Sequence, residues 1–408
     1  MTKVIAVRKS LGPKGLYGFE SRPRHSILIF SAMEPSKVYF TDFRTPAYGD
    51  SVLKKLQKLM LRASFADLDL DGKFVAIKMH FGEKGNISFL RPNWARAVVD
   101  MVKQQGGKPF LTDCNTMYPG SRKNALEHLY CAWENGFTPL AVGCPVIIAD
   151  GLKGTDDIEV EVNGGEYVKK AKIGRAIMDA DVIISLTHFK GHEMTGFGGT
   201  IKNLGMGSGS RAGKKEQHSN GKPHIEEELC RGCRRCSREC ANSGLVFDAE
   251  KRKMTVDKAK CVGCGRCLGA CNFDAIVFDN DSAMHDLNCK MAEYTKAVVD
   301  SREQFHISLI VDVSPNCDCH PENDAPILPD IGMLCSRDPL ALDQACVDLC
   351  LKQTPLENSQ LSDHIHSKDF VDLHDHFCNN NPESEYRSCL EHAEKIGLGS
   401  RSYTLIKM

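Results

Sequence analysis

The stretch Asp181-Val-Ile-Ile-Ser-Leu-Thr187 decides the fold, because it predicts a buried β-strand that runs directly into a polar loop, His188-Phe-Lys-Gly-His-Glu193. Similar apolar runs lie at Phe74–Met79, Pro109–Thr112 and Ile307–Val313. Helical patterns separate the runs along the chain. Strands that alternate with helices predict an α/β fold with a doubly wound, mostly parallel sheet.

The helical patterns show apolar residues at a spacing of three and four. In Asn93–Gln105, for example, Trp94, Ala97, Val98 and Met101 form one stripe, and a pair of glycines follows. The other helices are predicted at Ser121–Asn135, Ser282–Ser301 and Pro339–Leu351, and two further β-rich segments at Ile158–Val162 and Tyr167–Lys172.

Polar side chains follow four of the predicted strands at the point where each strand ends. In an open parallel sheet these ends meet at one edge, where ligands bind. A single histidine there is more often structural, but four such loops together predict a functional pocket. The candidate catalytic residues are His80, Asp113, His188, His192, Cys317 and Cys319.

The pattern leaves the chemistry of these candidates open. His188 and His192 are suited either to metal ligation or to general acid–base work. Cys317-Asp-Cys319 is suited to a soft metal or to redox thiols, and two unrelated loop cysteines are an equal alternative. A small-molecule substrate and a third metal therefore both remain open.

A glycine-rich run, Thr195–Lys214, follows the clearest strand. Its glycines permit close backbone approach, and Lys202 and Lys214 are candidates for binding an anion such as a phosphate-bearing ligand. The run matches neither a Walker loop nor a dinucleotide fingerprint. The alternative interpretation is a turn-rich connector.

Eight of the nineteen cysteines form two copies of the spacing Cys-x2-Cys-x2-Cys-x3-Cys. Three closely spaced thiolates wrap one face of an iron–sulfur cube, and in two-cluster ferredoxins the fourth ligates the other cluster. Structural zinc sites usually take two ligands from each of two distant turns, which fits this spacing poorly. The predicted ligand sets are Cys230, Cys233, Cys236 and Cys271 for one cluster, and Cys261, Cys264, Cys267 and Cys240 for the other.

The stretch from Ile225 to Asp279 resembles a bacterial-type ferredoxin, and the resemblance implies two 4Fe–4S clusters in a small α+β module. Val246-Phe-Asp248 and Val277-Phe-Asp279 repeat at the same offset from their cysteines. Ala241 and Asn272 replace the proline that usually follows the fourth cysteine. The expected domains are an α/β domain at residues 33–222 and 281–408, with the ferredoxin-like insertion at residues 223–280.

Composition narrows the partners and the compartment. The 408 residues carry 52 basic and 53 acidic side chains, a net charge of −1, which gives no indication of nucleic acid or membrane binding. Cluster cysteines must stay reduced, which predicts a cytoplasmic, low-oxygen setting. Residues 1–32 lack the apolar region of a secretory signal, so we expect a non-core extension, with Met33 as a natural start.

Several motifs together resemble a large iron–sulfur family known as domain of unknown function 362. They are His188-Phe-Lys-Gly-His-Glu-Met-Thr-Gly-Phe-Gly-Gly199, Lys202-Asn-Leu-Gly-Met-Gly207, Pro315-Asn-Cys-Asp-Cys319 and Pro329-Asp-Ile-Gly332. The resemblance covers the chain from about Ser36 onward. It implies an α/β domain coupled to two clusters, with no settled reaction.

Two functions follow as hypotheses. In the first, the protein is an oxidoreductase whose clusters exchange electrons with a substrate or metal held among the strand-end loops. In the second, it is an electron carrier or iron–sulfur accessory protein, and the α/β domain only docks a redox partner protein. The convergent polar loops favour the first.

Overall fold

The computed structural model describes residues 35–117, 120–218, 222–240, 242–261, 267–277, 284–300 and 302–408. The extension predicted at residues 1–32 lies outside them. From Pro35 onward the chain forms one unit by its internal contacts. None of the described helices is long and apolar enough to cross a lipid bilayer.

The strands among the described residues are two to eight residues long. In chain order they are β1 (Ser36–Asp42), β2 (Phe74–Lys78), β3 (Lys108–Asp113), β4 (Val146–Ile148), β5 (Asp157–Glu161), β6 (Lys170–Gly174), β7 (Val182–His188), β8 (Lys190–His192), β9 (Gly196–Gly198), β10 (His224–Ile225), β11 (Leu245–Asp248), β12 (Lys253–Val256), β13 (Ile276–Val277), β14 (Glu303–Ile310), β15 (Gly332–Ser336) and β16 (Tyr403–Lys407).

The helices of the described residues alternate with these strands. They are α1 (Val52–Arg62), α2 (Pro92–Gln104), α3 (Ala125–Glu134), α4 (Pro139–Val142), α5 (Arg175–Met178), α6 (Thr200–Ser208), α7 (Arg211–His218), α8 (Arg235–Arg238), α9 (Cys267–Ala270), α10 (Met284–Val299), α11 (Pro339–Cys350), α12 (Gln360–Ile365), α13 (His376–Asn380) and α14 (Arg387–Lys395).

Eight strands form the central sheet in the order β16-β1-β15-β14-β7-β2-β3-β4. Neighbouring strands run parallel except where β15 pairs antiparallel with β1 and with β14. The prediction of an α/β fold with a mostly parallel sheet is therefore confirmed. The four strands that carry the candidate residues, β3, β2, β7 and β14, are adjacent and parallel at the centre.

Both faces of the sheet are covered, because its central strands alternate their apolar side chains between two cores. Along β7, Ile183 packs into the core that contains α6, α10, α11 and α14, and Ile184 packs into the core that contains α1, α2 and α3. Burial on both faces explains why β7 is apolar at nearly every position rather than at alternate ones. The sheet is doubly wound.

Three predicted boundaries are wrong, each for a local reason. The helix predicted from Ser121 begins at Ala125, because the Asn124 side chain accepts from the Glu127 N–H and caps it. The strand predicted to reach Val313 ends at Ile310, shortly before Asp312 adopts a left-handed conformation. The second β-rich segment starts only at Lys170.

The glycine-rich run is not the turn-rich connector that its composition suggests. It forms α6 and α7, and α6 packs against α10. A side chain at Gly205 would collide with the Met291 carbonyl oxygen on α10, and one at Gly207 would collide with the Lys78 ammonium. These glycines therefore serve close packing of a helix, at a cost in helix propensity.

The described residues of the cysteine-rich segment form two short antiparallel strand pairs. β10 pairs antiparallel with β13, β11 pairs antiparallel with β12, and the short helices α8 and α9 contact each other. The chain enters this segment after α7 and leaves it before α10. The domain boundaries given for the insertion remain a prediction.

Candidate functional site

A cavity of about 540 Å³ opens at the carboxyl ends of the central strands. The six candidate catalytic residues all line it, and so do the two candidate anion-binding lysines on α6 and α7. They are His80, Asp113, His188, His192, Cys317, Cys319, Lys202 and Lys214. The structure thus brings together residues that are up to 239 positions apart in the chain because four parallel strands end side by side.

One side of the cavity, the ion-pair wall, consists of Lys78, His80, Glu83, Asp113 and Arg122. Lys78 Nζ lies 2.9 Å from Asp113 Oδ1, and Arg122 Nε lies 2.9 Å from Glu83 Oε2, with all four side chains buried. Burial alone would raise the pKa of Asp113, but Lys78 and the nearby histidines hold it well below its usual range. This wall therefore keeps fixed, mutually compensated charges.

His80 on the ion-pair wall faces hydrogen-bond donors on both sides of its ring. The Gly82 N–H donates to Nδ1 at 2.9 Å, and Arg122 Nη1 lies 2.8 Å from Nε2. Burial and the Arg122 charge hold the pKa of His80 well below its usual range. The ring is therefore neutral at physiological pH and is not suited to act as a general acid.

His188 is also fully engaged, but by acceptors. Its Nδ1 lies 2.8 Å from Asp318 Oδ2, and its Nε2 lies 2.7 Å from the Val311 carbonyl oxygen. Lys190 Nζ lies 3.2 Å from the same Asp318 oxygen. Because both ring nitrogens are occupied, His188 fixes the loop that follows β14 and has no free nitrogen for a substrate.

The opposite side, the thiol wall, consists of His192, Glu193, Cys317, Cys319 and His320. The first two come from the β8–β9 hairpin and the others from the loop after β14. His320 Nε2 lies 3.2 Å from Glu193 Oε1, and His192 Nε2 lies 3.5 Å from the same oxygen. Ligand atoms of Glu193, Cys319 and His320 all lie within 4.8 Å of one another. This is the part of the cavity with a metal-ligating donor set.

The two cysteines of the thiol wall differ in charge. A hydrogen bond from Cys319, together with Lys202 and His192, lowers the pKa of Cys317 well below its usual range despite its burial. The pKa of Cys319 is raised by the same hydrogen bond and by burial. Cys317 therefore carries the thiolate, and Lys202 Nζ lies 3.4 Å from its sulfur.

The two lysines proposed for anion binding have different surroundings. Burial opposes protonation of Lys202, but the sulfurs of Cys317 and Cys319 raise its pKa overall. Lys214 Nζ instead donates to the carbonyl oxygens of Gly207 at 3.3 Å and Gly209 at 2.6 Å. Of the two lysines, therefore, only Lys202 contacts the thiol wall.

Several residues of the cavity escaped the sequence reasoning. Lys78 ends a strand and would be expected to face solvent, yet it is 1% exposed and also bonds Asn203 Oδ1 at 2.9 Å. Arg122 lies in a loop with no motif around it. Asp318 lies between the two cysteines, and its position in that loop was the one available signal. Tertiary packing, not spacing, selects the first two.

The cysteine-rich segment gathers one predicted ligand set closely. Cys230, Cys233, Cys236 and Cys271 line a single small cavity. Burial, followed by the charges of the other three sulfurs, raises the pKa of Cys236 to about 11. Met254 N–H also donates to Cys230 Sγ at 3.3 Å. Four sulfurs around one space, one of them from the second motif, fit a 4Fe–4S cube with crossed ligation.

The second predicted set is only partly described, because Cys264 lies outside the described residues. Gly244 N–H donates to Cys240 Sγ at 3.2 Å, and a side chain on Gly244 would lie 2.9 Å from the Cys261 Cα. Cys240 of the first motif is therefore close to Cys261 of the second. Cys267 begins α9, which contacts α8 beside Cys240.

The cysteine-rich segment packs directly on the cavity. Met117 lines the cavity and also belongs to the apolar cluster that contains Cys230, Cys236 and Cys267. Lys123, in the loop after β3, forms an ion pair of 2.8 Å with Asp274 of the segment. Met117 thus belongs both to the lining of the cavity and to the cluster around the cysteines.

Comparison with known proteins gives one family. A family model described as "Domain of unknown function (DUF362)" matches residues 75–348, which include both the cavity and the cysteine-rich segment. A thylakoid-associated protein of Synechocystis is 30% identical over 126 residues, which are 29% of this chain and 33% of that protein. The chain therefore matches about a third of the length of this curated relative.

Two solved structures show distant likeness. The lactate racemase apoprotein from Thermoanaerobacterium thermosaccharolyticum has a TM-score of 0.34 and 12% identity, and the match covers 68% of this chain and 51% of that one. A protein from Thermotoga maritima has a TM-score of 0.37 and 11% identity, and the match covers 74% of this chain and 57% of that one. Likenesses this distant carry no argument about function.

Proposed function

The chain belongs to the DUF362 family, and from this premise we propose that it is an iron–sulfur oxidoreductase. In this proposal its cysteine-rich segment, a ferredoxin-like module, holds two 4Fe–4S clusters. Electrons pass between them and a substrate or metal in the 540 Å³ cavity. When bound, such clusters supply one-electron transfer. The setting is a reducing cytoplasm, since the ligands must remain thiolates.

The observation that carries the proposal is the convergence of Cys230, Cys233, Cys236 and Cys271 on one space. The fourth comes from the second motif, 35 residues after its nearest partner in sequence. A pair of zinc sites has no need for three consecutive ligands from one motif and one from the other. The arrangement therefore favours a cube over zinc.

The second support is the contact between this space and the central cavity. Met117 packs among the cysteines and also lines the cavity, so the module and the cavity share a side chain. A polar cavity against a redox module is the arrangement that an oxidoreductase needs. An independent carrier module would gain nothing from it.

The residues of the cavity then divide the work. Lys78, Asp113 and Arg122 form a preorganised charged surface that requires no rearrangement when a polar ligand enters. His188 positions the β14 loop through Asp318. Cys317, whose lowered pKa favours a thiolate beside Lys202, is the nucleophilic group of the site.

One observation favours the alternative, an electron carrier that docks a redox partner protein. Arg231, Arg234, Arg235 and Arg238 are all at least partly exposed around the first cysteine motif, and Cys233 among them is exposed too. Such a surface suits a partner with an acidic face, and electrostatic steering would speed their encounter. This surface is compatible with both functions, because an oxidoreductase also needs an electron source.

The proposal is tested with anaerobically reduced protein and a panel of small-molecule electron acceptors. Reoxidation of the clusters is followed by their visible absorption. We expect at least one acceptor to reoxidise the wild type faster than it reoxidises Cys317→Ser, with equal iron in both. Equal rates across the whole panel would favour the carrier.

Crossed ligation has its own test. Cys240→Ala should damage the cluster held by Cys261, Cys264 and Cys267 and spare the other. Cys144→Ala, at a buried cysteine remote from the module, is the matched control and should leave both spectra intact. Damage to the Cys230 cluster instead would show that ligation is not crossed.

A further inference from the structure

We propose that the thiol wall is a mononuclear site for a divalent transition metal of the zinc class, with Glu193, Cys319 and His320 as its ligands. This goes beyond the proposed function, which leaves open whether the cavity holds a metal, and it does not depend on the clusters. Three protein ligands with mixed oxygen, sulfur and nitrogen donors are typical of zinc sites that keep a coordination position open.

The first argument is convergence. One ligand atom from each of the three residues lies within 4.8 Å of the others, a spread that one ion can bridge with a small contraction. Two separate segments supply them, the β8–β9 hairpin and the loop after β14. An ion there would lie on the cavity side, because all three residues line the cavity.

The second argument is an unsatisfied atom. Glu193 Oε2 is buried and has no hydrogen-bond partner among the described residues. A buried carboxylate oxygen without a partner is costly, and a bound cation would satisfy it. The metal would replace two protons. One lies between His320 Nε2 and Glu193 Oε1, and the other is the thiol proton of Cys319.

The third argument comes from His320 and His192, which differ in the ring nitrogen that faces the site. His320 Nδ1 lies 3.4 Å from Glu322 Oε1, so a carboxylate is within reach of its N–H, while Nε2 faces Glu193. This is the usual second contact of a metal-binding histidine. His192 Nδ1 accepts from the N–H groups of Met194 and Thr195, both at 3.1 Å, which places its proton on Nε2.

His192 is therefore a positioning residue and not a ligand. Its Nε2–H faces Cys317 and Glu193 Oε1. Cys317 in turn is compensated by Lys202 at 3.4 Å. Cys317 thus already has a cationic partner, and Cys319 is the cysteine whose sulfur converges with ligand atoms of Glu193 and His320.

The test uses the full chain, purified anaerobically, washed with a chelator and then supplied with zinc sulfate alone. Zinc and iron are counted on the same sample. We expect about one tightly held zinc per chain, and X-ray absorption should show one sulfur near 2.3 Å with nitrogen or oxygen ligands near 2.0 Å. An all-sulfur shell would place the zinc among the module's cysteines and overturn the site.

Single substitutions should weaken zinc binding to different degrees. His320→Gln and Glu193→Gln should each weaken zinc binding at least a hundredfold, and His192→Gln about tenfold, as expected for a ligand and for a group behind one. His374→Gln is the matched control, since His374 is exposed and remote from the cavity. Equal zinc affinity in His320→Gln and in the control would overturn the proposal.

Misfolding would not explain a loss of zinc binding in His320→Gln. His320 is 39% exposed, so its replacement leaves no buried cavity, and circular dichroism checks the fold. Iron content separates the two proposals: loss of zinc with iron retained concerns only this site. Absence of iron with zinc retained at one sulfur and two lighter ligands would remove the clusters and leave the site standing.

Discussion

The two walls of the cavity use charge in opposite ways. On the ion-pair wall, Lys78 meets Asp113 and Arg122 meets Glu83, each at 2.9 Å and out of contact with solvent. On the thiol wall, Glu193 keeps one carboxylate oxygen without a partner among the described residues, and His320 is partly exposed. The first wall is complete without a ligand and serves as a rigid frame. The second is incomplete, which is the property of a site that binds something.

The largest expected effect comes from breaking the frame. Asp113→Asn leaves the Lys78 ammonium buried without its anion, which typically costs about 3–5 kcal/mol of unfolding free energy. Denaturation under anaerobic conditions measures it. Asp69→Asn, which removes the exposed partner of Lys73, is the control and should leave stability unchanged within error. A loss below about 1 kcal/mol for Asp113→Asn would show that the pair is not structural.

The next effect concerns α6, which reaches both walls. Asn203 bonds Lys78, and Lys202 contacts Cys317. Gly205→Ala should cost about 1–3 kcal/mol, because the new methyl group meets the Met291 carbonyl oxygen and must push α6 away from α10. Gly198→Ala is the control, since its methyl group would make only ordinary contacts at 3.5 Å. Equal stability of the two variants would contradict the close packing.

A smaller, pH-dependent effect comes from the start of α6, where Asp343 accepts from the N–H groups of Thr200 and Ile201. Burial raises the pKa of Asp343 from 3.8 to about 7. The folded protein therefore holds a proton that the unfolded chain has released, and stability falls as the pH rises toward 7 and levels off above it.

Between pH 6 and pH 8 this group should cost about 1.4 kcal/mol of unfolding free energy. Asp343→Asn keeps one acceptor oxygen for one of the two N–H groups, places an NH2 group at the other oxygen position and removes the charge, so that part of the pH dependence should disappear. Denaturation of both proteins at the two pH values measures it. An unchanged slope in the variant would show that Asp343 does not titrate in this range.

The smallest stability change is expected at the thiol wall itself. Glu193→Gln keeps the shape of the side chain and removes a charge whose second oxygen has no partner among the described residues. We expect a loss of about 1 kcal/mol or less without metal. A loss as large as that for Asp113→Asn would erase the distinction between the walls.

Sequence reasoning predicted the sheet and the loops of the cavity, because both follow from local patterns. Apolar runs predicted β2, β3 and β7, and parallel strands deliver their following residues to one edge. The side chains that these residues contact could not be predicted from the sequence. Lys78 and Arg122 belong to the site only through contacts with distant segments, and no spacing marks them.

The glycine-rich run shows the same limit from the other side. Glycine has poor helix propensity, so the sequence of Thr195–Lys214 did not predict helices and was interpreted as an anion-binding run or, alternatively, a turn-rich connector. The reason for its helices is tertiary: the Met291 carbonyl oxygen on α10 and the Lys78 side chain occupy the space a side chain would need at Gly205 and Gly207. In the cysteine-rich segment, by contrast, the spacing of the motifs alone predicted that Cys230, Cys233, Cys236 and Cys271 belong together, and these four residues line one small cavity.

The central claim is that the cysteine-rich segment is a redox module joined to the cavity. Iron determination and electron paramagnetic resonance on anaerobically purified, reduced protein test it most directly. The account predicts about eight irons per chain and a spectrum of two interacting paramagnetic clusters. Stoichiometric zinc in place of that iron, with no paramagnetic signal on reduction, would contradict it.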